Sequence, residues 1–340
     1  MQHPSSLMRL TASLLVAASA VAAESDKPSA PMLEGLASRA AVTGPRGTFV
    51  TEMVTLADGT ARFVQVYPPD DPKKRVRVEL VVAQGNHAFQ RGADGKFIAA
   101  EPGTAAFVRG HDAVRLALAR GSKPATISQA APPEMGGGTV SIELSDYRRV
   151  IDFEIPFTVV FVHSAAPNDR FVYRYTSVLP FRVAPGSPSP GGVTDAALLF
   201  DRLGDLGELA AMHERVMAAH RASDATMLTA DAAERATVSG RGRLSEVKRD
   251  EQLAHMREYL GSIRFSRYAD TTVPVIALSD DGSLAWLGCE MDAAGLRTVD
   301  GKSEPIAYGF SWVEQYARGE ADTQGKRPWR AIGNASNQRP

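Results

Sequence analysis

The last third of the chain constrains the fold most, because a long amphipathic helix precedes a run of strands there. Between Leu209 and Ala222 apolar side chains recur three and four residues apart, the spacing of one face of a helix. The final strand ends at Trp329–Ile332. A helix that precedes a curled sheet can cover it, and such layers enclose a small cone-shaped pocket. The sequence therefore predicts an α+β architecture and a ligand class more readily than a reaction.

Composition sets the number and class of domains. The 340 residues suffice for two domains at ~100–200 residues each. Hydrophobic residues make up 44% and charged residues 23%, the balance of a globular protein rather than a disordered one. The formal net charge of −1 provides no field that would attract nucleic acid, so no nucleic-acid partner is predicted. Cys289 is the single cysteine, which excludes an intramolecular disulfide. It suggests a small buried residue on a strand, with a nucleophile or an intermolecular bridge as the alternatives.

The N-terminus has the pattern of an export signal. Leu10 to Val21 is an apolar, alanine-rich run that follows Arg9, and small residues before Glu24 offer a cleavage site. The run is too short to span a membrane, and no later segment reaches ~18 apolar residues. We therefore predict a signal peptide over residues 1–23 and a mature protein that is periplasmic or secreted and not membrane-spanning.

A stretch rich in proline, glycine and serine at residues 184–192 marks the clearest domain boundary. We predict a β-rich envelope domain over residues 32–183, before this linker. Turn signals such as Asp58-Gly59 between alternating runs indicate hairpins within it. A second domain is predicted over residues 193–340.

Three motifs give the first domain a resemblance to a known family. They are Asn86-His87-Ala88-Phe89 followed by Asp94-Gly95-Lys96, Tyr147-Arg148-Arg149-Val150 leading to Ile155-Pro156-Phe157, and the return strand Phe171-Val172-Tyr173-Arg174-Tyr175. With these motifs the segment resembles the half-barrel lipoprotein-sorting family of the bacterial envelope. The resemblance implies a half-barrel-like curved sheet that holds acyl chains beneath covering helices, and it makes a lipid an expected partner.

The second domain is predicted to begin with a short helix at Asp195–Leu206, separate from the main helix. Asp224 is suited to cap a further helix at Ala225–Ala230. Another helix is predicted at Glu246–Leu260. Strands follow, and a hairpin turn over residues 279–283 joins the first two of them.

The order of motifs in this domain also resembles a known family. The motifs are Arg221-Ala222-Ser223-Asp224 with Leu228-Thr229-Ala230-Asp231, Ser279–Trp286, and Phe310-Ser311-Trp312-Val313 running on to Lys326-Arg327-Pro328-Trp329-Arg330. With them, residues 206–340 resemble the SnoaL-like branch of the nuclear transport factor 2-like superfamily. The resemblance implies a cone-shaped α+β fold, with helices over a curved sheet, and a homodimer formed through that sheet. The superfamily includes isomerases, dehydratases, cyclases and non-catalytic binding modules, so it does not fix an activity.

His213 and His220 lie two turns apart on the apolar stripe of the main helix. They are candidate catalytic bases, because an apolar setting moves the pKa of an imidazole, or a pair that anchors a ligand. Alternatively, they are boundary histidines bonded to backbone carbonyls. Side chains two turns apart are about 10 Å from each other, too far for one zinc ion to bind both at ~2 Å. No metal site is therefore predicted.

The candidate ligand pocket combines residues of the main helix and of the strands. On the strand that starts at Leu284, Trp286 and Glu290 share one face, whereas Cys289 and Met291 share the other. Parity leaves open which face lines the pocket. The predicted pocket set is Met212, Val216, Tyr268, Trp286, Glu290, Tyr308 and Trp312.

The sequence lacks the patterns of a phosphate-binding loop, a dinucleotide site, a nucleophile elbow and a paired-cysteine metal site, and no cofactor is predicted. We expect an exported envelope protein that binds a lipid-like or other hydrophobic small molecule in the cone of its second domain. The alternative is a SnoaL-like isomerase, cyclase or dehydratase that uses His213 or His220 as base. A third interpretation is a non-catalytic interaction module whose cone is filled by its own side chains.

Overall fold

The computed structural model describes residues 33–45, 47–68, 77–119, 123–131, 138–185, 187, 192–240, 242–323 and 325–338. The predicted signal peptide lies outside the described residues, as does most of the predicted linker. About 55% of the structure is strand and 22% is helix, which fits the predicted α+β class. Within the described ranges, no helix combines the length and the apolar character needed to cross a membrane.

The chain divides into two compact units. The first runs to Val178 and also includes Pro190–Gly207, whereas the remainder, together with Leu179–Ser189, forms the second. Residues 179–183, which precede the predicted linker, therefore belong to the second unit, and residues 193–207, which follow it, belong to the first. Ser187 belongs to the second unit, where its hydroxyl donates to the carbonyl of Leu278 and accepts from the amide of the same residue. The domain limits drawn from the sequence stay a prediction.

Antiparallel strands make up most of the first unit. In chain order they are β1 Gly35–Gly44, β2 Gly47–Leu56, β3 Ala61–Val66, β4 Arg77–Val82, β5 Ala88–Arg91, β6 Phe97–Ala99, β7 Thr126–Ala130, β8 Thr139–Val150, β9 Phe153–His163 and β10 Ala166–Val183. The last residues of β10, from Leu179 onward, belong to the second unit. Strands β1 to β6 form one antiparallel series, in which neighbours along the chain are paired. Strands β7 to β10 form a second series of the same kind. The predicted turn at Asp58-Gly59 joins β2 to β3 and is confirmed. The half-barrel shape stays a prediction.

Two short helices belong to the first unit: α1 Thr104–Gly110 and α2 Ala113–Ala119. Val108 of α1 packs into a core cluster with Phe63 of β3. The start of α2 is held by Asp112, whose carboxylate accepts from the Thr55 hydroxyl at 2.7 Å and from Nε of Arg115 at 3.3 Å. These polar contacts tie α2 to β2 through side chains that are largely removed from water.

The long helix α3, Ala196–Ala222, is one continuous element. The prediction of a separate short helix at Asp195–Leu206 is therefore wrong. The glycine between the two predicted helices has a packing role instead, because a Cβ at Gly207 would lie 2.7 Å from a methyl carbon of Val54. Near the start of the same helix, Phe200 contacts Arg62 of the first unit. The guanidinium of Arg62 lies 4.4 Å from the centroid of the Phe200 ring.

The second unit combines the rest of α3 with further helices and a mixed sheet. Its elements are α4 Ala225–Leu228, β11 Ala232–Gly240, β12 Arg243–Lys248, α5 Arg249–Ser262, β13 Ile263–Asp270, β14 Val275–Leu278, β15 Leu284–Val299, β16 Lys302–Arg318 and β17 Trp329–Gln338. The strands run in the order β12, β11, β17, β16, β15, with β11 and β17 parallel. Both β13 and β14 pair with β15.

Two local signals in the second unit are confirmed. Asp224 caps α4, because its carboxylate accepts from the amide of Met227 at 2.9 Å. The turn between β14 and β15 is held by Asp281, which accepts from the hydroxyl groups of Ser279 and Ser283. Both motifs depend only on residues within four positions of each other, which is why the sequence predicts them.

The helix predicted at Glu246–Leu260 begins later than expected. It starts at Arg249 as α5, because residues 243–248 pair with β11 as the strand β12. Nearly all side chains of β12 are exposed, so the strand has no alternation of apolar and polar residues to predict it. The sequence patterns also do not predict β11 or β13, and the second of these omissions affects the site.

Candidate functional site

The two faces of β15 differ in how far their side chains are buried. Cys289 and Met291 are buried, whereas Trp286 on the opposite face is 39% exposed. Cys289 pairs with Trp312 in the ladder between β15 and β16, so both side chains share the buried face. The ring of His213 on α3 contacts Trp312, with centroids 6.0 Å apart. We call this helix-covered side of β13, β15 and β16 the inner face.

A buried pair, His213 and Asp270, lies on the inner face. The imidazole is fully buried, and its Nε2 lies 2.9 Å from Oδ2 and 3.1 Å from Oδ1 of Asp270. Asp270 ends β13 and pairs with Met291 of β15, which places its carboxylate on the inner face. Cys289, two residues from Met291, has its Sγ within 4.8 Å of a ligating atom of each member of the pair.

Two buried polar atoms beside this pair lack partners. Among the described residues, Nδ1 of His213 and Nε1 of Trp312 have no hydrogen-bond partner. Leaving a buried donor or acceptor unsatisfied costs about 1–3 kcal/mol, so each of these atoms calls for a water molecule or a polar ligand as its partner. The carboxylate of Asp270 can only accept, so Nε2 of His213 donates to it, and in the neutral form of the ring Nδ1 is left as an acceptor.

His220 lies in a different environment from His213. Its Nδ1 donates to the carbonyl of Val216 at 2.8 Å, and its ring stacks on Tyr268 with centroids 4.1 Å apart. Burial lowers the pKa of His220 to about 4 against the opposing effect of that hydrogen bond, and the charge of Arg221 lowers it further. The imidazole is neutral at neutral pH. Its bond to a backbone carbonyl fits the boundary histidine of the sequence analysis better than a base.

Folding stability should decrease below neutral pH, because His220 stays uncharged in the folded state. An unfolded imidazole titrates near ~6.5 and the folded one near a pKa of about 4, so the unfolded chain binds more protons between these values. Stability is therefore fully present above the unfolded pKa and is lost as the pH falls towards 4. We expect His220→Gln to reduce this loss by about 2–3 kcal/mol, measured by urea unfolding at a series of pH values. His255→Gln, exposed on α5, is the control, and an identical pH slope in both variants would contradict the prediction.

An aromatic wall continues from His220 along the inner face. It consists of Tyr259, Phe265, Tyr268, Tyr308, Phe310 and Trp312. Neighbouring rings in the wall have centroids 4.9–6.5 Å apart, the contact distance of aromatic pairs. Tyr268 and Trp312 are buried, whereas Tyr308 and Phe310 keep partial exposure. The hydroxyl groups of Tyr259 and Tyr308 bond each other at 3.0 Å, so these rings present apolar surface.

A carboxyl group, Glu314, lies on the inner face next to Trp312. Its Oε2 accepts from the hydroxyl of Tyr316 at 2.7 Å. Burial raises the pKa of the Glu314 carboxyl, and the bond from Tyr316 and the nearby His213 partly offset this effect. Asp231, whose charge also raises the pKa of Glu314, forms an ion pair with Arg215 of α3. The inner face therefore carries several groups that can hold or exchange protons.

The structure places most of the predicted pocket residues in this region. Tyr268, Tyr308 and Trp312 belong to the aromatic wall. Met212 is buried on α3, and the backbone carbonyl of Val216 accepts the hydrogen bond from Nδ1 of His220. Both candidate histidines are buried, although only one of them contacts a carboxylate.

Two predicted pocket residues, Trp286 and Glu290, are exposed on the opposite face of β15. Their placement in the pocket is corrected, because parity groups side chains without saying which group turns inward. Asp270, which the unpredicted strand β13 brings to the pair, is absent from the predicted site residues. Asp270 has the same parity as Tyr268, two residues earlier, so a strand assigned there would have grouped the two side chains on one face.

No protein-family model matches the chain, and no curated protein matches it. Solved structures that resemble the chain do so over about 40% of its length, in the C-terminal part, and are nuclear transport factor 2-like (NTF2-like) proteins. The lipoprotein-sorting resemblance of the first domain stays a prediction.

Three of these structures show what the chain is similar to. An NTF2-like protein of unknown function in nutrient uptake from Rhodospirillum rubrum is 18% identical, with a TM-score of 0.31 and coverage of 39% of this chain and 98% of that one. A ketosteroid isomerase-like protein from Erwinia carotovora is 13% identical, with a TM-score of 0.32 and coverage of 40% and 97%. An NTF2-like protein with a cystatin-like fold from Novosphingobium aromaticivorans is 16% identical, with a TM-score of 0.29 and coverage of 42% and 88%. Likeness at these TM-scores assigns no activity to this chain.

Proposed function

We propose that the second unit binds a hydrophobic small molecule that carries a polar oxygen, against the aromatic wall. The observation that carries the proposal is the pair of buried atoms without partners among the described residues, Nδ1 of His213 and Nε1 of Trp312. An indole N–H can only donate, so it requires an acceptor such as a carbonyl or hydroxyl oxygen. The wall includes Trp312 itself and the partly exposed rings of Tyr308 and Phe310, which favour an apolar body for the rest of the ligand.

The aromatic wall supplies most of the affinity in this proposal. Covering about 200 Å² of apolar surface contributes ~5 kcal/mol at ~25 cal/mol per Å², before the cost of association. Satisfying a buried polar atom contributes roughly 1 kcal/mol net. The apolar contacts therefore decide how tightly the ligand binds, whereas Trp312 and His213 decide its orientation. A lipid-like molecule has this chemistry, with an acyl chain along the wall and an oxygen of its head group at the polar point.

Binding of prodan, a flat naphthalene with one ketone oxygen and polarity-sensitive emission, tests the proposal. We expect a blue shift on binding to the full chain and a measurable Kd. Phe310→Ala should weaken binding about tenfold, which corresponds to roughly 1.4 kcal/mol. Trp312→Phe removes the donor but keeps an aromatic ring, so we expect a smaller loss.

The matched control is Val313→Ala, because Val313 is next to Trp312 on β16 but is 40% exposed on the opposite face. Its affinity should equal that of the wild type. Equal affinities in Phe310→Ala and Val313→Ala would contradict the proposal. The absence of any prodan binding to the wild type would favour the third interpretation, a cone filled by its own side chains.

Proton transfer on the bound molecule is a second candidate function, favoured by the His213–Asp270 pair. A carboxylate that holds Nε2 fixes the imidazole, so that Nδ1 can take or return a proton. Of the two predicted bases, His213 is the suitable one, because the Nδ1 of His220 is committed to a carbonyl and its pKa is about 4. Isomerases, cyclases and dehydratases all use such a step.

Native mass spectrometry of protein purified from its own host identifies a retained ligand, and incubation in deuterated water then tests proton transfer. Deuterium should enter a C–H position of the ligand in the presence of the wild type and not of His213→Gln. Ligand recovered without deuterium from the wild type would leave binding as the function.

The location and assembly of the protein are part of the same proposal. The apolar run Leu10–Val21 suggests export to the periplasm or beyond, where envelope lipids supply the ligand, and recovery of Met1 from host-expressed protein would contradict export. The exposed side chains Leu284, Trp286 and Val313 lie on the outer face of β15 and β16, which suits a homodimer formed through the sheet. Sedimentation equilibrium that finds a monomer at every concentration would contradict the homodimer.

A further inference from the structure

We infer that His213, Asp270 and Cys289 bind a divalent transition-metal ion of the Zn²⁺ type. The three side chains converge on the inner face from α3, β13 and β15. Each offers one ligating atom, and these atoms lie within 4.8 Å of one another. The inference goes beyond ligand binding at the aromatic wall, because the ion would take Nε2 of His213 and leave Nδ1 for the ligand.

The spacing of the three atoms is close to that of a bound ion. Tetrahedral bonds of ~2.0 Å to nitrogen or oxygen and ~2.3 Å to sulfur separate ligand atoms by about 3.3–3.8 Å. Nε2 of His213 and Oδ2 of Asp270 are 2.9 Å apart, slightly nearer than this, and no pair exceeds 4.8 Å. Adjustments of roughly 1 Å or less therefore form the site, and side-chain rotation supplies shifts of that size.

The donor set selects the class of ion. One imidazole nitrogen, one carboxylate oxygen and one sulfur suit Zn²⁺ and ions that share its preferences, whereas Mg²⁺ and Ca²⁺ require oxygen ligands. Burial and the nearby carboxylates of Asp270 and Glu314 raise the pKa of the Cys289 thiol. A bound dication reverses this effect, because the thiolate is the form that it coordinates.

The charge of the inner face also favours a cation. A thiolate at Cys289 and the carboxylate of Asp270 together balance the two charges of the ion. Glu314 lies on the same face of β16, two positions from Trp312, the residue that pairs with Cys289 of β15, and its charge interacts with His213 and Cys289. A water molecule fills the fourth position of a tetrahedral site.

Metal binding and proton transfer by His213 exclude each other. An ion on Nε2 leaves the remaining proton on Nδ1, which then donates to the ligand and cannot accept from it. Without an ion, the bond from His213 to Asp270 serves to orient the imidazole. The occupancy of this site therefore decides between the two candidate functions of the second unit.

A cobalt titration of the chelator-treated full chain, purified without a polyhistidine tag, tests the inference. A thiolate bound to Co²⁺ produces a charge-transfer band in the near ultraviolet. We expect one equivalent of Co²⁺ to saturate this band in the wild type and Zn²⁺ to abolish it by displacement. Cys289→Ser should lack the band, and Asp270→Asn should bind cobalt at least tenfold more weakly. Glu290→Gln, the acid next to Cys289 on the exposed face, is the matched control and should bind like the wild type.

Circular dichroism establishes that each variant is folded, and if Cys289→Ser does not fold, the wild-type band and the affinity of Asp270→Asn decide the question. The absence of a charge-transfer band in the wild type overturns the inference, as does identical cobalt binding in the wild type and Cys289→Ser. Prodan affinity measured on the same samples keeps the two proposals separate. Retained prodan binding without a cobalt band contradicts only the metal site.

Discussion

Gly295→Ala is expected to be among the most destabilising single substitutions in the second unit. Gly295 of β15 pairs with Phe265 of β13, next to a shift in the register of the two strands. A Cβ at this position would overlap the carbonyl oxygen of Arg264 and lie 2.9 Å from the Cα of Phe265. These are backbone atoms, which cannot rotate away as a side chain can, so the strands must separate. Overpacking of this kind typically costs about 1–3 kcal/mol, and we expect the upper end of that range.

Separation of β13 from β15 would also disturb the site, because β13 carries Tyr268 and Asp270. Prodan affinity should therefore fall together with the free energy of unfolding, which urea titrations followed by circular dichroism measure. The control is Gly288→Ala on the same strand, where the nearest atoms to a new Cβ belong to the Trp286 ring at 3.5 Å, an ordinary contact. We expect a change within ~0.5 kcal/mol there. Equal midpoints for the two variants would show that β13 and β15 do not approach each other as described.

Asp112→Ala should have the largest effect in the first unit. Its carboxylate accepts from the hydroxyl of Thr55 and from the guanidinium of Arg115, and that guanidinium also donates to the carbonyls of Leu33 and Thr55 at 3.0 and 3.1 Å. Removing the carboxylate leaves the buried Thr55 hydroxyl without its acceptor and the partly buried Arg115 cation without a balancing charge. Removal of one partner from a buried pair costs about 3–5 kcal/mol, and the exposure of Arg115 places the expected loss near 3 kcal/mol.

The matched control is Glu143→Ala, which removes the partner of Arg170 from an ion pair with both side chains about half exposed. Exposed pairs of this kind contribute ~0–1 kcal/mol. Hydrogen exchange reports on the local effect, because amides of α2 should lose protection in Asp112→Ala and keep it in the control. If both variants unfold at the same urea concentration, the polar contacts of Asp112 do not hold α2 to β2.

Local chemistry was sufficient to predict the elements whose signals lie within a few residues. Asp224 caps α4 through the third residue after it, and the turn at 279–283 is held by its own hydroxyl groups. The apolar spacing of α3 likewise predicts that His213 and His220 are both buried. The cap and the turn are stabilised by hydrogen bonds between nearby residues, and the apolar periodicity lies within the single helix α3.

The assembled site depended on contacts that no local pattern contains. Parity grouped Trp286 with Glu290 and Cys289 with Met291, but only the packing of α3 turned the second group inward. Asp270 lies 57 residues from His213 on a strand without an alternating pattern. The free energy that selects a face of a strand comes from burial against elements distant in sequence. For this reason the tertiary structure alone decided which carboxylate, thiol and aromatic rings meet at the imidazole.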